Sequence, residues 1–123
     1  YSKSIVNFLI REYDKFLGGE HPNNIFHIEH ILPQKMTLEW KKHFSEEDHK
    51  KYVHTFANLI PLTQKLNIKA SNKTFENKKT EIKENAFFKT TRQLFDKYKE
   101  WNIESLEERS NILANWALNQ WKL

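Results

Sequence analysis

Apolar positions along the chain change from helical spacing to strand spacing and back, and the change marks where chemistry is expected. Ile5, Phe8, Leu9, Tyr13, Phe16 and Leu17 recur at helical intervals until Gly18-Gly19, which predicts an N-terminal helix within residues 1–20. Ile25-Phe-His-Ile-Glu-His-Ile31 is then apolar and β-branched up to Pro33, the pattern of a short strand opening into a loop. In a regular strand Phe26, Ile28 and His30 face one way and Ile25, His27 and Glu29 the other. A bulge is therefore expected if Glu29 and His30 are to reach one ion.

Trp40 and Phe44 read as anchors of the loop, and Ser45-Glu-Glu-Asp48 has the layout of a helix start running to about Thr55. Leu59-Ile-Pro-Leu62 forms the second strand, whose Pro61 restricts it to an edge or an irregular hairpin arm. Thr63 is placed to cap a helix through Ala70 that presents Asn67. A turn at Ser71-Asn-Lys-Thr74 precedes helices over 74–86 and 91–99, and a last helix starts near Ile103 and buries Leu106, Leu113, Trp116, Ala117 and Trp121. The expected fold is α+β and predominantly helical: a ββα core over residues 25–70 between an N-terminal helix and a helical part over 74–123. At 123 residues without internal repeats, this reads as one domain, and the helical pattern already running from Ser2 suggests the C-terminal piece of a longer protein.

Composition narrows the chemistry. With no cysteine there is neither a disulfide nor a thiolate zinc site. Mean hydropathy is −0.81 and no run approaches the roughly 18 apolar residues of a membrane span, so a cytoplasmic location without a membrane partner is expected. The net charge is +4, but residues 65–99 carry nine lysines and one arginine against four carboxylates. That stretch could be a solvated helix face; its place beside the histidine and asparagine cluster favours a polyanion. Lys65, Lys69, Asn72, Lys73, Lys78 and Lys79 are the candidate contacts to a DNA backbone.

The chemistry is expected in His27-Ile-Glu-His-Ile-Leu-Pro-Gln34 and Asn58-Leu-Ile-Pro-Leu-Thr-Gln-Lys-Leu-Asn67. Imidazole takes a proton from water near neutral pH, and carboxylate and amide oxygens suit Mg²⁺. Phosphodiester hydrolysis is the reaction that needs both. The ordered run resembles the HNH, or ββα-metal (His-Me finger), nuclease motif. It is similar above all to the C-terminal nuclease domain of GmrSD-type, modification-dependent restriction and phage-defence proteins. The resemblance rests on His27–Gln34, Ala57–Leu62, Asn67, Ser71–Lys73, Phe75, Lys78-Lys79 and the region of Trp116. The His30–Pro33 run and the Asn58–Asn67 interval also resemble the HNH domain of Cas9-type nucleases. Glu29 stands where many HNH proteins have Asp, and the zinc-binding cysteines that often brace such folds are missing, so packing must hold the site.

This reading makes His30 the general base, with Glu29 and Asn67 holding one Mg²⁺ or Mn²⁺. Asn58 is expected to tie the hairpin loop and to orient the His30 ring. His27 is open between metal ligand, phosphate contact and packing residue. Each asparagine alone would pass for a cap or turn residue, and a lone strand histidine for a packed one. The spacing of His27 and His30 is not the helical i, i+4 pair of zinc proteases. His21, His43, His49 and His54 show no ligand spacing and are expected at the surface, where His49 and His54 could meet a phosphate if their helix faces a duplex. The resemblance implies a metal-dependent DNA endonuclease with little sequence preference. It also implies an N-terminal regulatory NTPase region of ParB-like fold in the same protein. The alternative is a nuclease-like module that binds DNA or a partner protein without turnover.

Overall fold

Two four-residue strands form the hairpin on which the helices Gln64–Ala70 and Lys89–Lys97 pack. The computed structural model describes residues 3–20, 24–70 and 73–122, and of residues 68–70 the backbone alone. Strand β1 (His27–His30) pairs antiparallel with β2 (Leu59–Leu62) in the register His27 to Leu62, Ile28 to Pro61, Glu29 to Ile60 and His30 to Leu59. The register is unbroken, so the bulge expected near Glu29 is not formed. The two-stranded sheet leaves each strand an outer edge, which lets Pro61 sit in β2 without costing a ladder bond. Helix α4 (Gln64–Ala70) follows β2 directly and packs against both strands, completing a ββα unit.

Helix α1 (Lys3–Phe16) lays Val6 and Ile10 on Leu59 beside Phe26 and Ile28, and Tyr13 on the main core. It ends where Gly18 adopts φ +94°, a left-handed conformation that glycine takes without strain. Gly19 has no room for a side chain, since a Cβ there would meet Asp14, whose Oδ1 accepts the Thr90 amide at 2.8 Å.

Between the strands, α2 (Leu38–Lys41) carries Trp40, and α3 (Glu46–Tyr52) starts at Ser45, whose Oγ accepts the Asp48 amide at 3.0 Å. Trp40 and Phe44 are buried as expected. Helix α2 was not legible in the sequence, and α3 stops at Tyr52, short of Thr55, because a 3-10 turn over Phe56–Asn58 leads into β2. Beyond α4, the expected turn at Ser71-Asn72 lies outside the described residues. The remaining helices are α5 (Phe75–Ile82), extended by a 3-10 turn over Lys83–Asn85, α6 (Lys89–Lys97) and α7 (Ile103–Trp121). Asn102 and Ser105 close α7 with a reciprocal capping box. Leu106, Leu113 and Trp116 are core residues, but Trp121 is 39 % exposed, seated outside the core against Phe8 and Trp116.

One buried cation holds α7 to the sheet. Arg109 donates from Nη1 to the carbonyls of Ala57 (2.7 Å) and Leu59 (3.1 Å) and from Nη2 to Thr90 Oγ1 (3.2 Å). Burial lowers its pKa to about 10, which leaves the guanidinium charged. Arg109→Met removes the only side chain donating to these two carbonyls among the described residues. It is expected to lower unfolding free energy by about 3 kcal/mol, read as a lower urea midpoint at unchanged slope. A change within about 0.5 kcal/mol, the range of ordinary surface substitutions, would show that the clamp is dispensable.

Candidate active site at the end of strand β1

The chain leaves β1 into a buried segment, and buried peptide groups must find partners. Asn58 and Lys78 supply most of them. Lys78 Nζ donates to the carbonyls of His30 and Ile31, each at 2.9 Å. The Ile31 amide donates to the Asn58 backbone carbonyl at 3.0 Å. The Leu32 amide donates to Asn58 Oδ1 (2.8 Å), and Asn58 Nδ2 returns a bond to the Leu32 carbonyl (2.9 Å). Asn58 Nδ2 also reaches the Val53 carbonyl, and Asn58 Oδ1 also accepts Trp101 Nε1. His49 Nε2 lies 2.8 Å from the Pro33 carbonyl.

Asn58 is 0 % exposed and its amide already makes these four bonds. It ties the loop as expected. It does not orient the His30 ring, because no capacity of its side chain is left for that purpose.

One partner of the His30 ring is His54. His30 Nε2 lies 3.1 Å from His54 Nδ1, with the rings nearly perpendicular at 82°. His30 is buried, and burial first, then the charges of His54 and Lys78, lowers its pKa to about 4. At neutral pH the imidazole is thus held neutral. His54 and His49 were both expected at the surface; His54 is exposed yet engaged, and His49 is half-buried. No local spacing signals either one. They reach the loop because β2 returns antiparallel beside β1, bringing the residues before Asn58 alongside those after His30.

Glu29, next to His30 on the strand, engages a different element. Its Oε2 lies 3.3 Å from Lys78 Nζ on α5, an ion pair whose Lys78 end is 0 % exposed. Burial pushes the Glu29 carboxyl up and the Lys78 ammonium down, and their mutual attraction opposes both shifts. Lys78 therefore cannot meet DNA, which corrects its place among the backbone contacts. The physical reason is its position on the inner face of α5 with Phe75 and Ile82, at i, i+3 and i+7. That stripe is readable in the sequence once the residues, and not their charges, are followed.

Of the other basic candidates, Lys65 on α4 is exposed. Lys73 pairs with Glu81, and Lys79 Nζ donates to the Tyr98 carbonyl at 3.3 Å, so both are partly engaged inside the fold. The Lys69 side chain and Asn72 lie outside the described residues. His27 is exposed at the open end of β1.

The donor set for a metal ion is narrow. Among the described residues no group of three or more histidines, aspartates or glutamates could hold one. Glu29 Oε2 is buried at 3.3 Å from Lys78 Nζ, and Asn67 sits half-buried on α4, the helix packed against β1. One carboxylate and one amide oxygen fit a hard ion that keeps most of its waters, Mg²⁺ or Mn²⁺, and not zinc.

Removing one half of the buried pair strands the other. Lys78→Met is expected to cost about 3–5 kcal/mol of stability, and Glu29→Gln in the same chain to recover part of that cost. Additive losses in the double-mutant cycle would show the two charges to be independent. His30 adds a pH dependence. Its folded pKa of about 4 lies below the ordinary 6.5, so the unfolded chain takes up the proton first, and stability is lost as pH falls from 6.5 toward 4. The raised pKa of Glu29 acts in the opposite sense, so the readout is the difference between parent and His30→Gln, measured in EDTA. The variant should be less acid-sensitive through that window, and parallel profiles would contradict the neutral, buried state.

Comparison with known proteins adds one finding. No curated protein matches the chain, and neither does any solved structure. The model of the family "GmrSD restriction endonucleases, C-terminal domain" matches residues 2–116, a span that includes both strands, α4, the Asn58 and Lys78 ties and most of α7. With the ββα core and its histidine in place, the chain belongs to the family of C-terminal domains of GmrSD restriction endonucleases, an HNH-type nuclease family.

Proposed function

We propose that this chain is a metal-dependent endonuclease domain that hydrolyses DNA phosphodiester bonds, nicking or cutting with little sequence preference of its own. The observation that carries the reading is the neutral, immobilised imidazole of His30 beside the only buried carboxylate of the hairpin, in a nuclease-family chain. In this reading His30 accepts a proton from a water aligned with the scissile bond. The water oxygen bonds to phosphorus as the bond from phosphorus to the 3′ oxygen breaks. Glu29 and Asn67 would hold one Mg²⁺ or Mn²⁺, which when bound supplies charge neutralisation at the phosphoryl and leaving oxygens. The ties from Asn58 and Lys78 keep the base from drifting, which matters because misplacement of about 1 Å can cost on the order of 100-fold.

Lys65, exposed on α4, is assigned with Lys69 and Asn72 to the DNA backbone. His27 is assigned a lesser part at the open end of the hairpin. Target choice and restraint are assigned to an N-terminal NTPase-type region of the same protein, with the domain as effector of restriction or antiviral defence. No helix among the described residues is long and apolar enough to cross a membrane. A second reading, a nuclease-like module that binds DNA or a protein without turnover, draws on one fact: the Glu29 carboxylate is already paired with Lys78.

Relaxation of supercoiled plasmid with Mg²⁺ or Mn²⁺ separates the two. The parent should yield open-circular or linear DNA, whereas binding without conversion in either metal would establish the second reading. His30→Ala should abolish conversion with folding and DNA binding nearly intact, and wild-type rates in that variant would remove His30 as base. Asn67→Ala should be slowed and partly restored by excess Mn²⁺, since a lost ligand weakens metal affinity before geometry. His27→Ala should be milder than either.

A further inference from the structure

We propose that the apolar face shared by α1 and α7 is a dimer interface, closed by a second copy of this chain. Five of the eight exposed large apolar residues among the described residues lie on these two helices: Ile5, Phe8 and Phe16 on α1, Leu118 and Trp121 on α7, each between 39 % and 63 % exposed. They are not scattered. The Phe8 and Trp121 ring centroids are 6.0 Å apart, Trp121 and Trp116 5.4 Å, and Trp116 and Phe16 6.3 Å, so one row of rings runs from helix to helix. On α7, Ala114, Ala117, Leu118 and Trp121 stand at i, i+3, i+4 and i+7, a second apolar stripe beside the one that buries Leu106, Leu113 and Trp116. The five large side chains expose several hundred Å², at the upper end for a monomer and approaching the roughly 800 Å² that one partner gives to a standard interface.

The charge pattern selects a second copy as the occupant. Residues 110–121 of α7 include no charged residue, in a chain of which 29 % is charged, although Asn111, Asn115, Asn119 and Gln120 are exposed there beside Ala114 and Leu118. A solvated helix face carries charges. On α1, Glu12 stands one turn from both Phe8 and Phe16, and its charge is already met by Lys15 at 3.2 Å. In a two-fold interface the patch meets itself, so a charge near the axis would face its like, whereas asparagine and glutamine donate and accept and can pair with their own copies. A polyanion would require cations here, and a strongly charged protein partner would require charges of the opposite sign. The face presents rings, aliphatic groups and amides instead. A pair of chains carries two His30 sites, so on the nuclease reading, on which this consequence rests, the dimer cuts both strands where a monomer nicks one.

The test is the mass of the chain in solution, read by sedimentation velocity from micromolar to millimolar concentration. The parent should pass from monomer to a species of twice 14.9 kDa and stop there. Leu118→Glu and Ile5→Glu, one on each helix and each 60 % exposed, should weaken pairing about 100-fold or more, because a carboxylate in the closed interface loses its water. Their circular dichroism and urea midpoints should match the parent. Leu38→Glu removes an exposed apolar side chain from α2 and should pair as the parent does. A parent that stays monomeric throughout overturns the proposal, as does a mass that keeps growing past two. So does a dimer that survives both variants, or one lost equally in Leu38→Glu. With plasmid, the parent dimer should give linear DNA as first product and Leu118→Glu open circles. Linear first product from monomeric Leu118→Glu overturns the two-strand role, and no conversion by a parent that does dimerise overturns the nuclease reading instead.

Discussion

The structure depends on satisfying the peptide groups of a segment that turns inward directly after β1. Residues 31–33 are buried, so their amides and carbonyls cannot rely on water. One asparagine does most of this, since an amide side chain donates twice and accepts at one oxygen from two sides. Asn58 meets Leu32 through both its Oδ1 and its Nδ2, in the manner of a strand neighbour, and its own carbonyl takes the Ile31 amide. An aspartate there would put an acceptor oxygen in place of Nδ2, against the Leu32 and Val53 carbonyls, and repel them. The hairpin, the turn carrying His54 and, through Trp101, the start of α7 are joined at this one residue.

Two buried cations complete the same task. Lys78 and Arg109 enter from α5 and α7, and each spends its donors mainly on backbone carbonyls at the end of the hairpin where His30 pairs with Leu59. A buried charge is tolerated only where dipoles or a counter-charge replace its lost hydration. Lys78 has two carbonyls and Glu29; Arg109 has two carbonyls and a threonine hydroxyl. In a chain without cysteines, these ties do for the hairpin what a zinc cluster does elsewhere. They also divide the site, placing Glu29 against α5 and His30 against the turn after α3.

Much of the fold was legible because it follows from local physics. The period of Ile5 to Leu17 with its glycine stop, the β-branched run before Pro33, the Ser45 cap and the start of α7 each appear near where spacing and capping chemistry put them. The asparagine tie was legible too, since a polar residue wedged between apolar neighbours in Phe56-Ala-Asn-Leu-Ile must be paired. The bulge was not needed, because neighbouring side chains on an unbroken strand can serve different partners on its two faces.

By itself, then, the sequence determined the order and kind of most elements and the family to which the chain belongs. It did so because periodicity, capping and motif spacing act over a few residues. Tertiary structure alone decided which charges and rings meet. Lys78 looks solvated until α5 docks its inner face on the hairpin, His54 looks idle until β2 returns beside β1, and Arg109 looks like a surface residue of α7 until that helix packs on the 3-10 turn leading into β2. These contacts join residues 24 to 52 positions apart, and their partners are set by how the elements pack, which no local pattern encodes.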